Sequence, residues 1–234
     1  MPVLSIVIPN YNYGHFADRF FGSLAAQSMT LDEVEFFFVD DGSSDDSIEK
    51  ATAWSHTLSC QSFTILTPPR SGRPGLVRNA GLEQAKGNSL LCLDPDDTLE
   101  PEYIKTCVTT LDENPDIDLV YTDYCENSSA VKREVVLQDF NQGLLRTQNI
   151  IPPAAMYRRR LWDSGVRYRD NTEYEDWDFW IQCLMAGARF LHIPRILYNY
   201  ELHEGNYSQH AEANDGNAKA RIVQNNPDFF HPLV

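Results

Sequence analysis

Short apolar runs alternate with amphipathic stretches over the first half of the chain. LSIVIP, residues 4–9, is continuous and closed by Pro9 and Asn10, the pattern of a strand buried on both faces. Residues 16–27 follow with helical spacing. VEFFFV, residues 34–39, reads as a second strand, and Ser44 or Asp45 can cap a helix running to about Leu58. Residues 63–66 predict a third strand and residues 76–85 a helix broken at Gly87. Residues 89–93 predict a fourth strand, and residues 101–114 a helix with Pro101 near its start. Strands and helices in this alternation imply a parallel sheet with right-handed crossovers.

After Asp116 the pattern changes. Residues 119–125 and 131–137 read as strands around a polar loop at 126–130. Residues 150–157, 189–193 and 196–200 add further β character around a helix at 175–186. From Gly205 the composition turns polar, which predicts a weak helix or a mobile segment that orders on binding. There is no internal repeat and no linker. One domain over residues 1–204 is expected, with residues 205–234 as a polar C-terminal segment.

A chain of 234 residues suits one sizeable α/β domain. Its net charge of −15 repels nucleic acid and anionic lipid headgroups, so no nucleic-acid partner is expected. An anionic substrate would need a metal ion or a local basic patch to offset that field. The five cysteines, Cys60, Cys92, Cys107, Cys125 and Cys183, are scattered and show no metal-ligand spacing. They read as reduced, which favours the cytoplasm. No basic leader precedes the first strand, and no apolar run approaches the roughly 20 residues of a membrane span. A soluble cytoplasmic protein is expected, with a peripheral membrane-associated partner or a larger parent protein left open.

Three acidic clusters carry the chemistry: VDDGSSDD (39–46), LDPDD (93–97) and EYEDWDFW (173–180). The first two stand where apolar strands run out, and the third opens a helix. Carboxylates gathered at strand ends suit a divalent cation and a phosphate-bearing ligand. RSGRPGLVR adds Arg70, Arg73 and Arg78, whose guanidinium groups suit a diphosphate by paired hydrogen bonds. Plainer readings exist for each cluster. Ser44, Asp45 and the acids near Thr98 can be helix caps, and Glu175 and Asp176 can complement a helix N-terminus.

SIVIPNYN, FVDDGSSDDS, RNAGLEQAKGNSLLCLDPDD and EDWDFW stand in that order over roughly the first 200 residues. Together they resemble the inverting glycosyltransferases of family 2. The resemblance implies an α/β fold, a single GT-A domain. Its Rossmann-like, mixed but mostly parallel sheet is flanked by helices. Residues 1–115 would form the nucleotide-binding half and 116–204 the acceptor half. It also implies a nucleoside-diphosphate sugar donor, a Mn²⁺ or Mg²⁺ ion, and a glycan, lipid-linked sugar or protein as acceptor.

By position in these motifs, the resemblance implies that Pro9 and Tyr11 lie under the nucleobase, and it implies the roles that follow for the other residues. Asp41 reads the base, which favours a UDP-sugar. Arg78, then Arg73, support the diphosphate. Asp97 contacts the metal directly, Asp96 shares the metal or holds the ribose, and Asp94 does either. Asp176 matches the general base, with Glu175 its nearest rival. His203 matches a metal or diphosphate contact, although Glu201 and Leu202 stand where relatives carry a basic residue. Pro152 and Pro153 in the expected acceptor floor, and the lack of a GGFD-like turn at 164–171, also depart from the pattern. Two rival functions remain. A sugar-nucleotidyltransferase would want a Gly-rich, basic phosphate loop after the first strand, which PNYNYG lacks. A non-catalytic nucleotide- or sugar-binding domain of a glycan-assembly complex would bind without turnover.

Overall fold

The computed structural model describes residues 2–128, 131–207, 211 and 213–231. Four strands, β1 (Leu4–Asn10), β2 (Leu31–Asp40), β3 (Cys60–Leu66) and β4 (Ser89–Cys92), lie in the order β3-β2-β1-β4, all parallel. Four helices connect and follow them: α1 (Ala17–Ala25), α2 (Ser47–Ser55), α3 (Pro74–Leu82) and α4 (Tyr103–Glu113). The later strands are β5 (Thr98–Leu99), β6 (Leu119–Asn127), β7 (Lys132–Val135), β8 (Met156–Arg158) and β9 (Phe190–Glu201). They extend the same sheet as β4-β8-β6-β9-β5, with β7 beside β6. β8 runs antiparallel to β4 and β6, while β6 and β9 are parallel, so the sheet is mixed.

Every residue of β1 is buried, as its unbroken apolar run requires. Leu4, Ile6 and Ile8 face the layer of α1, α2 and α4. Val7 faces the other layer, which holds α3, α6 (Arg159–Asp163) and α7 (Glu175–Met185). Gly81 lets α3 lie directly on β1: a Cβ there would stand 2.5 Å from a Val7 methyl. The buried Glu35 accepts from Ser5 Oγ at 2.6 Å and from the amides of Lys86 and Gly87, which fixes where β4 enters.

Residues 150–155 are not a strand, and β8 is confined to 156–158. Pro152 and Pro153 have no amide hydrogen to give to a ladder. The two strands expected at 189–193 and 196–200 are one, β9, whose register against β6 shifts around Pro194 and Arg195. Residues 129 and 130 of the expected polar loop lie outside the described residues. β5, α5 (Gln142–Leu145) and α6 gave no sequence signal.

The polar C-terminal segment contains two helices, α8 (Asp215–Asn225) and α9 (Pro227–Phe230). Ile222 and Phe229 pack against Leu145, Trp177 and Ile181. Beside them Asp178, fully buried, accepts from Arg169 at 3.0 Å, Asn226 at 2.7 Å and Gln182 at 2.9 Å. A buried carboxylate survives in such a place because its oxygens are satisfied. Among the described residues no helix is long and apolar enough to cross a membrane. The five cysteines are free.

Candidate active site

Asn10 and Asp40 end β1 and β2 in register, and Asn10 Nδ2 donates to Asp40 at 2.8 Å. Asp40 also accepts from the amides of Gly42 and Ser43 and from Ser43 Oγ. Gly42 makes that turn at φ +82°, a region that disfavours side chains. Asn12, at φ +58°, donates its amide to Ser43 Oγ and accepts the Ser44 amide at its Oδ1. Asp40 is therefore a structural knot, and the next residue faces the ligand side. Asp41 accepts from the amides of Ser71 at 2.6 Å and Gly72 at 2.7 Å, so it fastens the arginine-bearing loop to the end of β2. Asp45, in turn, holds the amides of Gly14 and Ser47.

These strand ends open into a cleft of about 1110 Å³. Pro9, Tyr11, Asp41 and Arg73 line it beside the ends of β1 and β2, and Arg78, Asp94 and Asp96 line it further on. Glu175 and Asp176 reach it from the start of α7, and His203 from beyond β9. The Arg70 guanidinium stacks on Tyr11 with 4.2 Å to the ring centroid. Only the repeated arginines of RSGRPGLVR hinted at Arg70 in the sequence.

Asp97 is not on the cleft wall. It is 1% exposed and accepts from the Tyr198 hydroxyl and, at 2.9 Å, from the Glu201 amide. Burial, then the charges of Asp96 and Asp94, pushes its carboxyl well above the usual range. Asp96 does face the cleft, 3.0 Å from His203 Nε2. Burial and the neighbouring Asp94 raise Asp96 to about 6, against the lowering effect of His203. Arg78 is buried between Asp94, at 2.7 and 2.9 Å, and Glu175, at 2.5 Å. Its charge is thus balanced by two carboxylates from opposite halves of the chain. Arg73 lies 3.8 Å from Glu173.

Asp176 is partly exposed. Its Oδ2 accepts from Asn149 at 2.8 Å and its Oδ1 from the Trp177 amide at 2.8 Å. Burial pushes its carboxyl up, opposed chiefly by the Trp177 amide and Arg78. Burial also raises Glu175 to about 7, against Arg78. Trp177, Phe179 and Trp180 are all buried: Trp177 packs toward α8, and the other two pack beneath the sheet.

The family model for glycosyl transferase family 2 matches residues 5–171. The chain belongs to that family. A PGL/p-HBAD biosynthesis glycosyltransferase of Mycobacterium bovis is 30% identical over 208 residues, 85% of this chain and 77% of that protein. The chondroitin synthase of Pasteurella multocida is 27% identical over 212 residues, 89% of this chain but 21% of its own length. The family 2 chain therefore spans about a fifth of that synthase. Its fold matches the crystal structure of S. aureus TarS 1–349 in complex with UDP-GlcNAc. The TM-score is 0.76 at 21% identity, covering 98% of this chain and 71% of that one. It matches equally the mannosyltransferase PcManGT from Pyrobaculum calidifontis in complex with GDP-Man and Mn²⁺. That TM-score is also 0.76, at 15% identity, covering 98% and 68%. The sheet and its flanking helices are thus those of a GT-A glycosyltransferase.

Among the described residues of this family 2 chain, no group of three or more His, Cys, Asp or Glu side chains is arranged to hold a metal ion. Asp96 and His203 form a pair of oxygen and nitrogen donors on the cleft wall. Such a pair suits an ion that completes its shell with donor phosphates and water, the usual habit of Mg²⁺ in nucleotide sites.

Proposed function

We propose that this chain transfers a sugar, with inversion, from a UDP-sugar to an acceptor hydroxyl. The observation that carries the reading is one cleft lined by Tyr11, Asp41, Asp96, His203 and Asp176 together. Tyr11 offers its ring to the base, with Arg70 on that face exchanging for the base or sandwiching it. Asp41, fixed by two backbone amides, keeps a lone pair for the base N3–H of uracil. Asp94 is held by Arg78 at the ribose side. Asp96 and His203 would hold Mn²⁺ or Mg²⁺, which would stabilise charge on the leaving diphosphate. Asp97 braces the Asp94–Asp97 turn against β9 from behind, so the metal contact moves to Asp96.

Asp176 accepts the proton of the acceptor hydroxyl as that oxygen bonds to the anomeric carbon. The bond from that carbon to the diphosphate oxygen breaks on the opposite face, and its electron pair leaves with UDP. Glu175 is tied to Arg78, which leaves Asp176 as the base. The UDP-GlcNAc bound by TarS and the Mn²⁺ bound by PcManGT support the donor and metal assignments. The acceptor belongs to a glycan, a lipid-linked sugar or a protein, reached in the cytoplasm or from a membrane-associated partner.

Calorimetric titration with UDP and GDP, each with and without Mn²⁺, tests the donor site. The expected result is Mn²⁺-dependent UDP binding that Asp96→Asn removes. A preference for GDP would overturn the role of Asp41, and metal-independent binding would overturn that of Asp96. Binding without turnover of any UDP-sugar, with acceptor glycosides supplied, would favour a non-catalytic binding domain.

A further inference from the structure

Beside the large cleft lies a second cavity of about 210 Å³. The two share Tyr124, Asn149, Pro153, Asp176 and Tyr200. The small cavity therefore opens at the carboxylate proposed as the base, and whatever fills it presents its hydroxyl there. Part of its wall is the irregular stretch around Pro152 and Pro153. Another part is a set of tyrosines on β6 and β9. The Tyr124 ring lies 6.1 Å from Tyr198 and 6.5 Å from Tyr200, centroid to centroid.

Size, shape and charge narrow the occupant. A cavity of about 210 Å³ holds several waters. That is the scale of one pyranose ring, and it falls below the ~300 Å³ at which pockets for larger organic ligands begin. The Tyr124 and Tyr200 rings stand 87° apart, so each offers its own apolar face with a negative centre, which suits the polarised C–H face of a sugar. The Asn149 side chain suits its edge. Among the described residues lining this cavity, none carries a positive charge, and Asp176 carries the negative one. Arg70, Arg73 and Arg78 all line the larger cleft instead. A uronate or a phosphate entering here would lose water and meet a carboxylate and negative ring faces, with no cation to pair it.

We infer that this cavity is the subsite for the accepting sugar, and that it takes an uncharged pyranose against Tyr124 and Tyr200 while excluding acidic units. The inference rests on Asp176 as the base. Saturation-transfer NMR in the presence of UDP and Mg²⁺ tests it. The probes are methyl β-D-glucopyranoside and methyl N-acetyl-β-D-glucosaminide against methyl β-D-glucuronide and glucose 6-phosphate. At least one neutral glycoside is expected to bind and both charged probes to fail. Its signal should fall at least fivefold in Tyr124→Ala and Tyr200→Ala and persist in Tyr200→Phe. Leu137→Lys, which puts a cation in the wall, should admit the glucuronide. Charged probes binding the wild type as well as neutral ones would overturn the inference. So would a complete absence of neutral binding, or a neutral signal unchanged in both alanine variants. UDP titration of the same samples separates the two levels. Loss of UDP binding by the wild type sinks the donor reading, whereas intact UDP binding with a charged preference sinks this inference alone.

Discussion

The carboxylates at the two ends of the cleft are held in different ways. At the nucleotide end, Asp40 and Asp41 are gripped by main-chain amides of Gly42, Ser43, Ser71 and Gly72. These donors sit on turns fixed by parallel strand ends. At the acceptor end, Asp176 depends on the side chain of Asn149, from an irregular stretch, besides the adjacent Trp177 amide. Its neighbour Glu175 is anchored by Arg78 on a distant helix. Backbone donors give a fixed frame, which suits the nucleotide contact proposed for Asp41. Side-chain donors leave the acceptor end open to change by single substitutions.

Removing the base should break the comparison most sharply. Asp176→Asn is expected to lower transfer by about 10²- to 10⁴-fold, the usual range for general-base catalysis. UDP affinity by calorimetry should stay within about twofold, because only the acceptor end is touched. A matched loss of UDP affinity would show that the two ends are not separable. Next in size is Asp41→Ala, which frees the Ser71 and Gly72 amides and removes the base contact. Hydrogen bonds to a charged group contribute about 1.5–3 kcal/mol, so UDP affinity should fall about tenfold or more. Unchanged affinity would remove Asp41 from base recognition.

Asn149→Ala should act more gently and only at the acceptor end. Donation from Asn149 favours the charged form of Asp176, so its removal raises the pKa of the base. The acid limb of the kcat–pH profile should move to higher pH, with kcat a few-fold lower and UDP affinity unchanged. A loss of kcat with an unmoved acid limb would reduce Asn149 to a packing residue.

The effect least visible in catalysis is on stability. Burial raises Glu175 from 4.5 to about 7 in the folded chain. The folded state thus holds a proton that the unfolded state releases earlier. That contribution is complete below about pH 4.5 and disappears as pH rises through about 7. Glu175→Gln removes it. The melting temperature of the wild type minus that of the variant should therefore shrink between about pH 5 and pH 8. A difference that grows over that range would mean the Arg78 charge, not burial, governs Glu175.

The same contrast explains what the sequence could reveal. β1 and β4 are short apolar runs and β2 ends in one, and the motifs that leave them are contiguous, so the strands and the placement of Asp40, Asp41, Asp94 and Asp96 at their ends were legible. The different fates of Asp96 and Asp97 were not. They depend on β9, whose Tyr198 and Glu201 come back over the turn from a hundred residues away. His203 lacked its expected basic neighbour, yet its position beyond β9 brings it to Asp96. The strand expected across Ile150–Tyr157 was misjudged from apolar content, because two prolines forbid its ladder. Asn149, Tyr124 and Tyr200 belong to no local motif, and only the folded sheet gathers them. The docked C-terminal helices had an equally hidden cause: Asp178 looked like one more acid at a helix start until Asn226 and Arg169 closed on it.

Inversion at one base is the central claim, and the anomer of the sugar freshly released from UDP-GlcNAc, or from whichever UDP-sugar turns over, tests it most directly. Proton NMR taken within the first turnovers reads the anomeric coupling before mutarotation. An α-linked donor is predicted to give the β-anomer first, at a rate that collapses in Asp176→Asn. Initial release of the α-anomer would contradict direct displacement assisted by Asp176.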